Sequence, residues 1–275
     1  MKVNFDGHIL DATAVKISSN DRGFQYADGI FETIILKDAK IQYLPYHLQR
    51  LKKGLHALKL ANSSTKEPIE WEEKILELAK INRMSDSRIK IFVWRQQGGL
   101  YTPTGTDFHY LITSREYHPA KPQALKNVGI CKSLFLSPSP FSSCKTMNAL
   151  SYVMAGIEKR ENEWEEIILC DRRGHLSEAG SANLFWKKGN EFFTPSLNTG
   201  CIAGVRRAAL IEELEEQGYT VNRGEYSLLH LEKASHLWKT NVTGMVPIAQ
   251  LEHLLFEETL PEEVAILQNH YNQVK

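Results

Sequence analysis

The feature that most restricts the fold of this chain is a short segment with two prolines, residues 117–123 (Tyr-His-Pro-Ala-Lys-Pro-Gln). Proline fixes φ and has no backbone N–H, so Pro119 and Pro122 interrupt both helices and strand pairing. A chain of 275 residues is long enough for two domains that each bury a core. We therefore predict an N-terminal domain over residues 1–117, a linker over 118–123 and a larger C-terminal domain over 124–275.

The first part of the chain combines helix and strand patterns. Leucines at helical spacing predict an amphipathic helix over residues 46–60. Apolar residues that alternate with polar ones over 89–93 predict a strand. One face of that strand is expected to carry Arg88 and Lys90.

The second part is also mixed. We predict a hairpin around residues 188–190 and a helix that begins near Gly204 and ends at Gly218. Another helix is predicted over residues 149–159 from the helical spacing of Leu150, Val153, Met154 and Ile157. Because strands and helices do not alternate regularly, the predicted fold class is α+β (mixed α/β) with largely antiparallel sheets.

Composition excludes several classes of protein. Lys+Arg and Asp+Glu both number 33, so no bulk positive charge favours nucleic acid or an anionic membrane as a partner. No apolar run approaches the roughly 20 residues that span a bilayer, and the first residues lack the pattern of a secretory signal. The cysteines form no CxxC pair and no zinc-ligand spacing. We expect a cytoplasmic protein with reduced thiols and no metal site.

A polar segment, residues 142–148 (Ser-Ser-Cys-Lys-Thr-Met-Asn), follows a loop with two prolines and precedes a predicted helix. Its lysine, Lys145, has two interpretations. Most lysines in such a place are solvated surface cations. In a dry, electropositive pocket, however, a lysine loses its proton more readily and forms Schiff bases. Lys145 is therefore a candidate catalytic residue.

Small residues follow Glu178 over positions 179–182 (Ala-Gly-Ser-Ala). One interpretation is a strand end with an exposed glutamate beside a turn. The other is functional, because small side chains let a flat ring lie close to the backbone. Glu178 would then pair with a protonated nitrogen of a heterocycle.

Two further features are suited to phosphate. The glycine turn before Val205 and Arg206 opens a helix at Gly204, and the N–H groups of a helix start attract anions. Such turns are common and this one matches neither G-x-G-x-x-G nor a Walker A motif. Arg50 lies beside a leucine stripe, where it covers the helix surface or supplies a bidentate fork to a phosphate.

Together, these features provide an amine, an acid, a helix start for phosphate and an arginine. Those groups match the needs of pyridoxal-phosphate (PLP) chemistry, in which a lysine holds the aldehyde and a carboxylate keeps the pyridine nitrogen protonated.

The motifs, in their order along the chain, also resemble the class IV aminotransferases, or fold-type IV PLP enzymes. This family comprises branched-chain aminotransferases, D-amino acid aminotransferases and 4-amino-4-deoxychorismate lyases. The resemblance is carried by residues 28–33 (Asp-Gly-Ile-Phe-Glu-Thr), 47–51, 145–148, 176–185, 204–206, and 240–243 ahead of Pro247.

The resemblance implies a two-domain fold, a homodimer, PLP as cofactor and a small amino-acid-like substrate. It makes Lys145 the Schiff-base and proton-transfer lysine and Glu178 the partner of the pyridine nitrogen. It also places Phe31 in an aromatic wall of the substrate pocket. The phosphate contacts that it implies are Arg50, the helix start at Gly204, Val205 and Arg206, and the turn at Asn241 and Val242.

Within the family, residues 183–189, 193–197 and 240–241 look most like the aminodeoxychorismate lyases, which form p-aminobenzoate and pyruvate. Lys90 falls on the strand where some lyases carry a basic residue for the substrate. Some lyases have an arginine where this chain has Leu100, and Arg95, Arg88 and Tyr101 are the possible substitutes. A transaminase that uses the same PLP site is the alternative prediction, and a non-catalytic binding protein is a second one.

Overall fold

The structure is a computed structural model that describes residues 1–61, 69–119 and 123–273. The chain forms two compact units, one of residues 1–119 together with Cys144–Asn148, the other of residues 120–143 and 149–275. Part of the predicted linker, residues 120–122, lies outside the described residues. The predicted domain limits differ from the units at 144–148, a segment that belongs to the first unit.

The first unit is built on one antiparallel sheet with the strand order β2-β1-β6-β5-β3-β4. Its strands are β1 (Lys2–Phe5), β2 (His8–Asp11), β3 (Gly29–Lys37), β4 (Lys40–Ile41), β5 (Ser87–Arg95) and β6 (Phe108–Glu116). Its helices are α1 (Arg22–Tyr26), α2 (Leu44–Ala57) and α3 (Trp71–Ile81). The predicted helix over 46–60 and the strand over 89–93 are thus confirmed as α2 and β5.

Alternation along β3 and β5 separates the two faces of this sheet. Ile34, Ile89 and Ile91 are fully buried in a core that also contains apolar side chains of α2 and α3. The intervening residues point to the other face. Phe31 and Lys90 are on this second face, because Phe31 pairs with Phe92 and Thr33 pairs with Lys90.

The segment 144–148 joins the first unit through hydrogen bonds to the start of β3. The N–H of Phe31 donates to the carbonyl of Lys145 at 2.8 Å, and the N–H of Met147 donates to the carbonyl of Gly29 at 2.8 Å. A bridge between Ile30 and Thr146 completes this short antiparallel contact. The pairing is long-range, so local sequence patterns gave no signal for it.

The second unit contains two five-stranded sheets, ordered β12-β11-β10-β13-β14 and β16-β15-β7-β8-β9. Its strands are β7 (Val128–Ile130), β8 (Glu166–Cys170), β9 (Leu176–Ala179), β10 (Asn183–Lys188), β11 (Glu191–Pro195), β12 (Val221–Gly224), β13 (His236–Asn241), β14 (Gly244–Pro247), β15 (Gln250–Leu251) and β16 (Leu254–Leu255). Its helices are α4 (Leu150–Glu161), α5 (Val205–Glu216) and α6 (Glu262–Gln273).

The mixed α/β class and the mainly antiparallel pairing are confirmed, since only β11–β12, β7–β15 and β7–β8 run parallel among the paired strands of the described residues. The predicted hairpin is β10–β11. The helix predicted from Gly204 to Gly218 is α5.

The helix predicted over residues 149–159 is confirmed as α4, but most of its apolar stripe is not buried within the chain. Leu150, Val153 and Met154 are exposed by 66%, 55% and 46%, whereas Ala155 on another side of the helix is fully buried. Ala155 packs in a cluster with Ile167 and Leu169 of β8. Helical spacing identified an apolar face of α4 but not what covers it.

Within the described ranges, no helix is long and apolar enough to cross a membrane. Over the same residues, no group of three or more His, Cys, Asp and Glu side chains is arranged to hold a metal ion. The four cysteines are buried free thiols.

Candidate active site

In the first unit, the structure brings Lys145 and Phe31 together. The backbone hydrogen bond between them aligns the two residues, and the Lys145 Nζ lies 4.5 Å from the centre of the Phe31 ring. An ammonium group over an aromatic face is attracted by the ring quadrupole. The aromatic wall predicted at Phe31 is thus in direct contact with the predicted catalytic lysine.

Gly29 permits this approach. A Cβ at Gly29 would lie 2.4 Å from the Val93 carbonyl oxygen and 2.8 Å from the Met147 sulfur. Real Cβ atoms do not come that close to backbone, so any side chain here would push β3 away from Val93 of β5 and would also displace the Met147 side chain. The glycine of the Asp-Gly-Ile-Phe motif is thus required by close backbone approach.

Lys90 is the second cation at the Phe31 ring. Its Nζ lies 5.6 Å from the centre of that ring and 5.6 Å from the Phe92 ring. Phe31 and Phe92 are stacked, with ring centres 6.0 Å apart. The arrangement gives one aromatic surface with two positively charged neighbours, which favours an anionic or electron-poor ligand.

Arg50 is held by a buried carboxylate. Its Nε donates to Glu32 Oε1 at 2.7 Å and its Nη2 donates to Glu32 Oε2 at 2.6 Å. The Nδ1 of the buried His47 lies 2.7 Å from Glu32 Oε2. Burial opposes ionisation of Glu32, but Arg50 and His47 hold the pKa of this carboxyl below its usual value. Glu32 follows Phe31 on the opposite face of β3, so Arg50 is fixed on the side of the sheet that carries α2.

Arg95 is hydrogen-bonded within the first unit, and its place in the substrate pocket stays a prediction. Its Nε donates to Asp28 Oδ2 at 2.9 Å, and its Nη2 donates to Asp28 Oδ1 at 3.4 Å. The other donors go to the carbonyls of Leu58, Lys59 and Gly105. A guanidinium has five N–H donors, and all five are used within the protein.

The other two proposed substitutes contact aromatic rings of the first unit other than Phe31. The Arg88 guanidinium lies 5.5 Å from the Tyr117 ring. Tyr101 is 89% exposed in the loop after β5 and contacts the ring of Tyr26. The carbonyls of residues 98–100 in that loop accept hydrogen bonds from Arg22, which also binds Asp28. Of the predicted substrate residues, Lys90 and Phe31 are therefore the two that contact each other.

In the second unit, Glu178 is a buried acid with defined partners. It is 3% exposed at the end of β9. The Tyr152 hydroxyl donates to Glu178 Oε1 at 2.5 Å, and the N–H of Ile202 donates to Oε2 at 3.2 Å. Burial, and then the nearby Glu178 carboxylate, raise the pKa of Tyr152, so its hydroxyl stays protonated and acts as the donor. Donors to both oxygens stabilise the ionised form of this carboxylate.

The start of α5 adjoins the same segment. Gly204 is its N-cap, and the first turn of any helix has N–H groups with no partner inside the helix. A Cβ at Gly204 would lie 1.9 Å from the Asn183 side-chain oxygen, so a side chain here would have to displace Asn183 or the start of α5. The Asn183 amide in turn donates to the Ile202 carbonyl at 2.8 Å. Residues 202–204 therefore link the Glu178 carboxylate to a helix start that is suited to phosphate.

Asn241 and Val242 form the turn between β13 and β14. The Asn241 side chain accepts the N–H of Thr243 at 2.9 Å and donates to the Ser181 carbonyl at 3.1 Å. Asn183 pairs with Thr240 across the sheet, so this turn and the start of α5 lie at the same end of β10 and β13. The predicted phosphate residues of the second unit are thus neighbours.

Several residues at these places were not predicted. Tyr152, Asn183 and the N–H of Ile202 determine the surroundings of Glu178 and Gly204, and Glu32 fixes Arg50. Asn183 and Glu32 lie within the motifs, which was the available signal. Tyr152 gave none, because a tyrosine on an amphipathic helix is usually a packing residue.

Each unit carries groups of the kinds that PLP requires. The first unit offers an amine beside an aromatic face, and the second offers a buried carboxylate and a helix start for a phosphate. The buried Glu178, whose two oxygens each accept a hydrogen bond, is suited to pair with a protonated ring nitrogen. A mixed α/β fold whose units carry these kinds of groups matches what a PLP-dependent enzyme requires.

The chain belongs to the amino-transferase class IV family, whose model matches residues 29–251. It is 28% identical to an aminodeoxychorismate lyase of Vibrio harveyi, over 83% of this chain and 85% of that protein. It is 24% identical to a D-alanine aminotransferase of Bacillus licheniformis, over 92% of this chain and 89% of that protein.

Among solved structures, a 4-amino-4-deoxychorismate lyase from Pseudomonas aeruginosa matches with a TM-score of 0.85 and 23% identity. The match covers 99% of this chain and 99% of that one. At this identity the likeness shows the fold. Family membership makes the chain a PLP-dependent enzyme rather than a non-catalytic binding protein.

Proposed function

We propose that this enzyme is a 4-amino-4-deoxychorismate lyase, which releases p-aminobenzoate and pyruvate. The observation that carries the proposal is the pair of cations at one aromatic surface, Lys145 and Lys90 at Phe31. The two products carry one carboxylate each, so the substrate carries two. A second lysine beside the reactive one is suited to the carboxylate that stays away from the reacting carbon.

In this proposal, Lys145 holds the cofactor until the substrate amine replaces it. The cofactor supplies an aldehyde for that amine and a protonated ring that accepts negative charge from the adjacent carbon. The freed Lys145 amine then takes the proton from the carbon that bears the substrate amine. It later returns a proton to the departing three-carbon unit, which leaves as pyruvate. The atoms of the two products add up to those of the substrate, so no oxo acid is consumed.

The remaining residues orient the cofactor. Glu178 keeps the proton on the ring nitrogen, and the N–H groups at the start of α5, from Gly204 to Arg206, bind the phosphate. Arg50 and the turn at Asn241 and Val242 add to the phosphate site. Glu32 binds Nε and Nη2 of Arg50 and so fixes the plane of the guanidinium.

A transaminase is the second candidate, and the similarity to a D-alanine aminotransferase over 92% of the chain favours it. The first proton transfer would be the same. Lys145 would then return the proton to the cofactor carbon rather than to a leaving group. An oxo acid would be needed to complete each cycle.

The two candidates are separated by the need for an oxo acid. The purified, PLP-loaded enzyme is supplied with 4-amino-4-deoxychorismate alone, and p-aminobenzoate is measured over many turnovers. A parallel sample receives an amino acid and 2-oxoglutarate. Sustained p-aminobenzoate release without an oxo acid is the expected result. Keto-acid formation only in the second sample would overturn the lyase proposal in favour of the transaminase.

We further propose that the enzyme is a homodimer that uses the apolar face of α4. Leu150, Val153 and Met154 occupy one side of this helix and are each about half exposed or more, at 66%, 55% and 46%. Contiguous exposed apolar side chains favour burial against another protein surface. A second copy of the chain is the partner that family membership supports.

A further inference from the structure

We propose that Tyr152 is a positioning residue that fixes Glu178 in its ionised form and in one orientation, so that the proton shared with the cofactor stays on the ring nitrogen. The inference rests on the proposed role of Glu178. This role requires no direct contact of Tyr152 with the substrate or the ring. It acts through the carboxylate.

The geometry assigns each carboxylate oxygen its own donor. Tyr152 donates to Oε1 at 2.5 Å and the Ile202 N–H donates to Oε2 at 3.2 Å. The first distance is at the short end of the range for a hydroxyl bound to a carboxylate, which indicates a strong, charge-assisted bond. The Ile202 contact belongs to the backbone and persists in every variant, so Tyr152 is the side chain that can be removed.

Packing holds Tyr152 in place to make this contact. Its ring lies against the apolar cluster in which Ala155 is fully buried, together with Ile167 and Leu169 of β8. Tyr152 and Ala155 are three residues apart on α4 and therefore share one side of the helix. The hydroxyl is thus delivered to Glu178 by a rigid helix, with little conformational entropy left to lose.

The chemical consequence follows from competition for one proton. A carboxylate and a ring nitrogen that share a proton divide it according to their relative basicity. A donated hydrogen bond makes the Glu178 carboxylate less basic, so the proton resides on the ring nitrogen. That is the form in which the ring accepts negative charge from the substrate carbon. Loss of the Tyr152 hydroxyl would shift the proton toward Glu178.

Tyr152→Phe is the direct test, because it removes the hydroxyl and keeps the ring. The matched control is Tyr219→Phe, the same change at a half-buried tyrosine of the same unit that contacts the Phe192 ring. Each variant is loaded with PLP isotopically labelled at its ring nitrogen. The protonation of that nitrogen is read by nitrogen NMR, and turnover is measured alongside.

We expect a protonated ring nitrogen in the wild type and in Tyr219→Phe, and a signal displaced toward the unprotonated form in Tyr152→Phe. The turnover of Tyr152→Phe should fall about 10- to 100-fold, the range expected for loss of a hydrogen bond to a charged group. An unchanged nitrogen signal in Tyr152→Phe would overturn the inference, even if turnover fell.

A third variant, Glu178→Gln, separates this inference from the proposed function. Loss of the protonated signal in Glu178→Gln, with no change in Tyr152→Phe, would contradict the role of Tyr152 alone. An unchanged signal in Glu178→Gln would contradict the proposed role of Glu178 and the inference with it. A wild type that binds no labelled cofactor would overturn both as well.

Discussion

The ammonium group of Lys145 lies 4.5 Å from the centre of the Phe31 ring, and a backbone hydrogen bond between the same two residues holds them in register. The contact joins a lysine from one part of the sequence to an aromatic residue more than a hundred positions earlier. It makes the Phe31 ring part of the immediate surroundings of the proposed catalytic amine.

Phe31→Leu should therefore lower turnover while the cofactor is retained. A cation–π contact contributes about 0.5 to 2 kcal/mol, which corresponds to a fall of about 2- to 30-fold in kcat. Steady-state kinetics measure kcat, and the visible absorbance of the bound cofactor measures retention. Phe31→Tyr is the control, since it keeps the ring and should stay close to the wild type. Equal kcat values for the leucine variant and the wild type would refute the role of the ring.

Lys90→Met should raise KM for a substrate with two carboxylates by about tenfold or more, because a charge-assisted hydrogen bond is lost. The cofactor absorbance should not change. Arg88→Met is the matched control, as Arg88 is an exposed cation two residues earlier on the same face of β5. If both variants raise KM equally, the effect comes from general charge and the specific role of Lys90 is wrong.

Arg50→Ala should destabilise the fold as well as weaken cofactor binding. Glu32 is 2% exposed, and removing one partner of a buried ion pair costs about 3–5 kcal/mol. Urea unfolding of the cofactor-free protein measures this free energy without a contribution from bound PLP. Lys53→Ala, at an exposed position of the same helix, should change it by less than about 0.5 kcal/mol. A stable Arg50→Ala variant would show that Glu32 is supported by other groups.

The same carboxylate predicts a dependence of stability on pH. Since Arg50 and His47 lower the pKa of Glu32 in the folded chain, the unfolded chain takes up the proton first as the pH falls. The stabilisation is complete above the ordinary carboxyl value of 4.5 and is lost as the pH falls from there through the lower folded value. Unfolding titrations across this range should show a steeper loss for the wild type than for Glu32→Gln. Parallel curves would contradict the assignment.

Gly204→Ala should reduce affinity for the cofactor's phosphate. The new Cβ would collide with the Asn183 oxygen, so the start of α5 or the Asn183 side chain must move. Gly156→Ala is the control, because its Cβ meets no atom within 4 Å in the middle of α4. Replacing a helical glycine with alanine there should stabilise the helix by about 0.5–1 kcal/mol. PLP affinity, measured by absorbance titration, is expected to fall for Gly204→Ala only.

Val153→Glu should prevent the proposed dimer, since it places a charge in the middle of the apolar face of α4. Val153 is 55% exposed, so the substitution should leave the fold of the chain intact. Light scattering measures the mass of the assembly, and circular dichroism checks the fold. Ser151→Glu, at an exposed position of the same helix outside the apolar face, is the control. A wild type that is monomeric at micromolar concentration would contradict the proposal.

Much of the local structure could be predicted from periodicity. The α2 helix, the β5 strand, the β10–β11 hairpin and the α5 helix follow from spacing and turn residues, because backbone geometry imposes those periods. Spacing did not reveal which side of α4 is buried. An apolar stripe looks the same whether it packs inside one chain or remains exposed for another.

The candidate site shows the same division. Lys145, Glu178 and Gly204 were identified from residue type and motif order. The use of all five Arg95 donors within the protein could not be predicted from the sequence. Only folding brings Leu58, Lys59 and Gly105 close to Arg95. The hydrogen bond from Tyr152 to Glu178 could not be predicted either, because it joins residues on α4 and β9.

The sequence by itself determined the kinds of groups that this enzyme carries: a lysine in a polar segment, an acid beside small residues and a glycine that opens a helix. These are local properties, set by side-chain chemistry and by the spacing of neighbours. Only the tertiary structure decided which groups meet. It placed Lys145 on the Phe31 ring and Tyr152 on the Glu178 carboxylate, and it brought Arg95 to Asp28 and to three backbone carbonyls. Hydrogen bonds and ring contacts between residues far apart in the sequence produce no periodic pattern along the chain. Only the folded structure therefore reveals them.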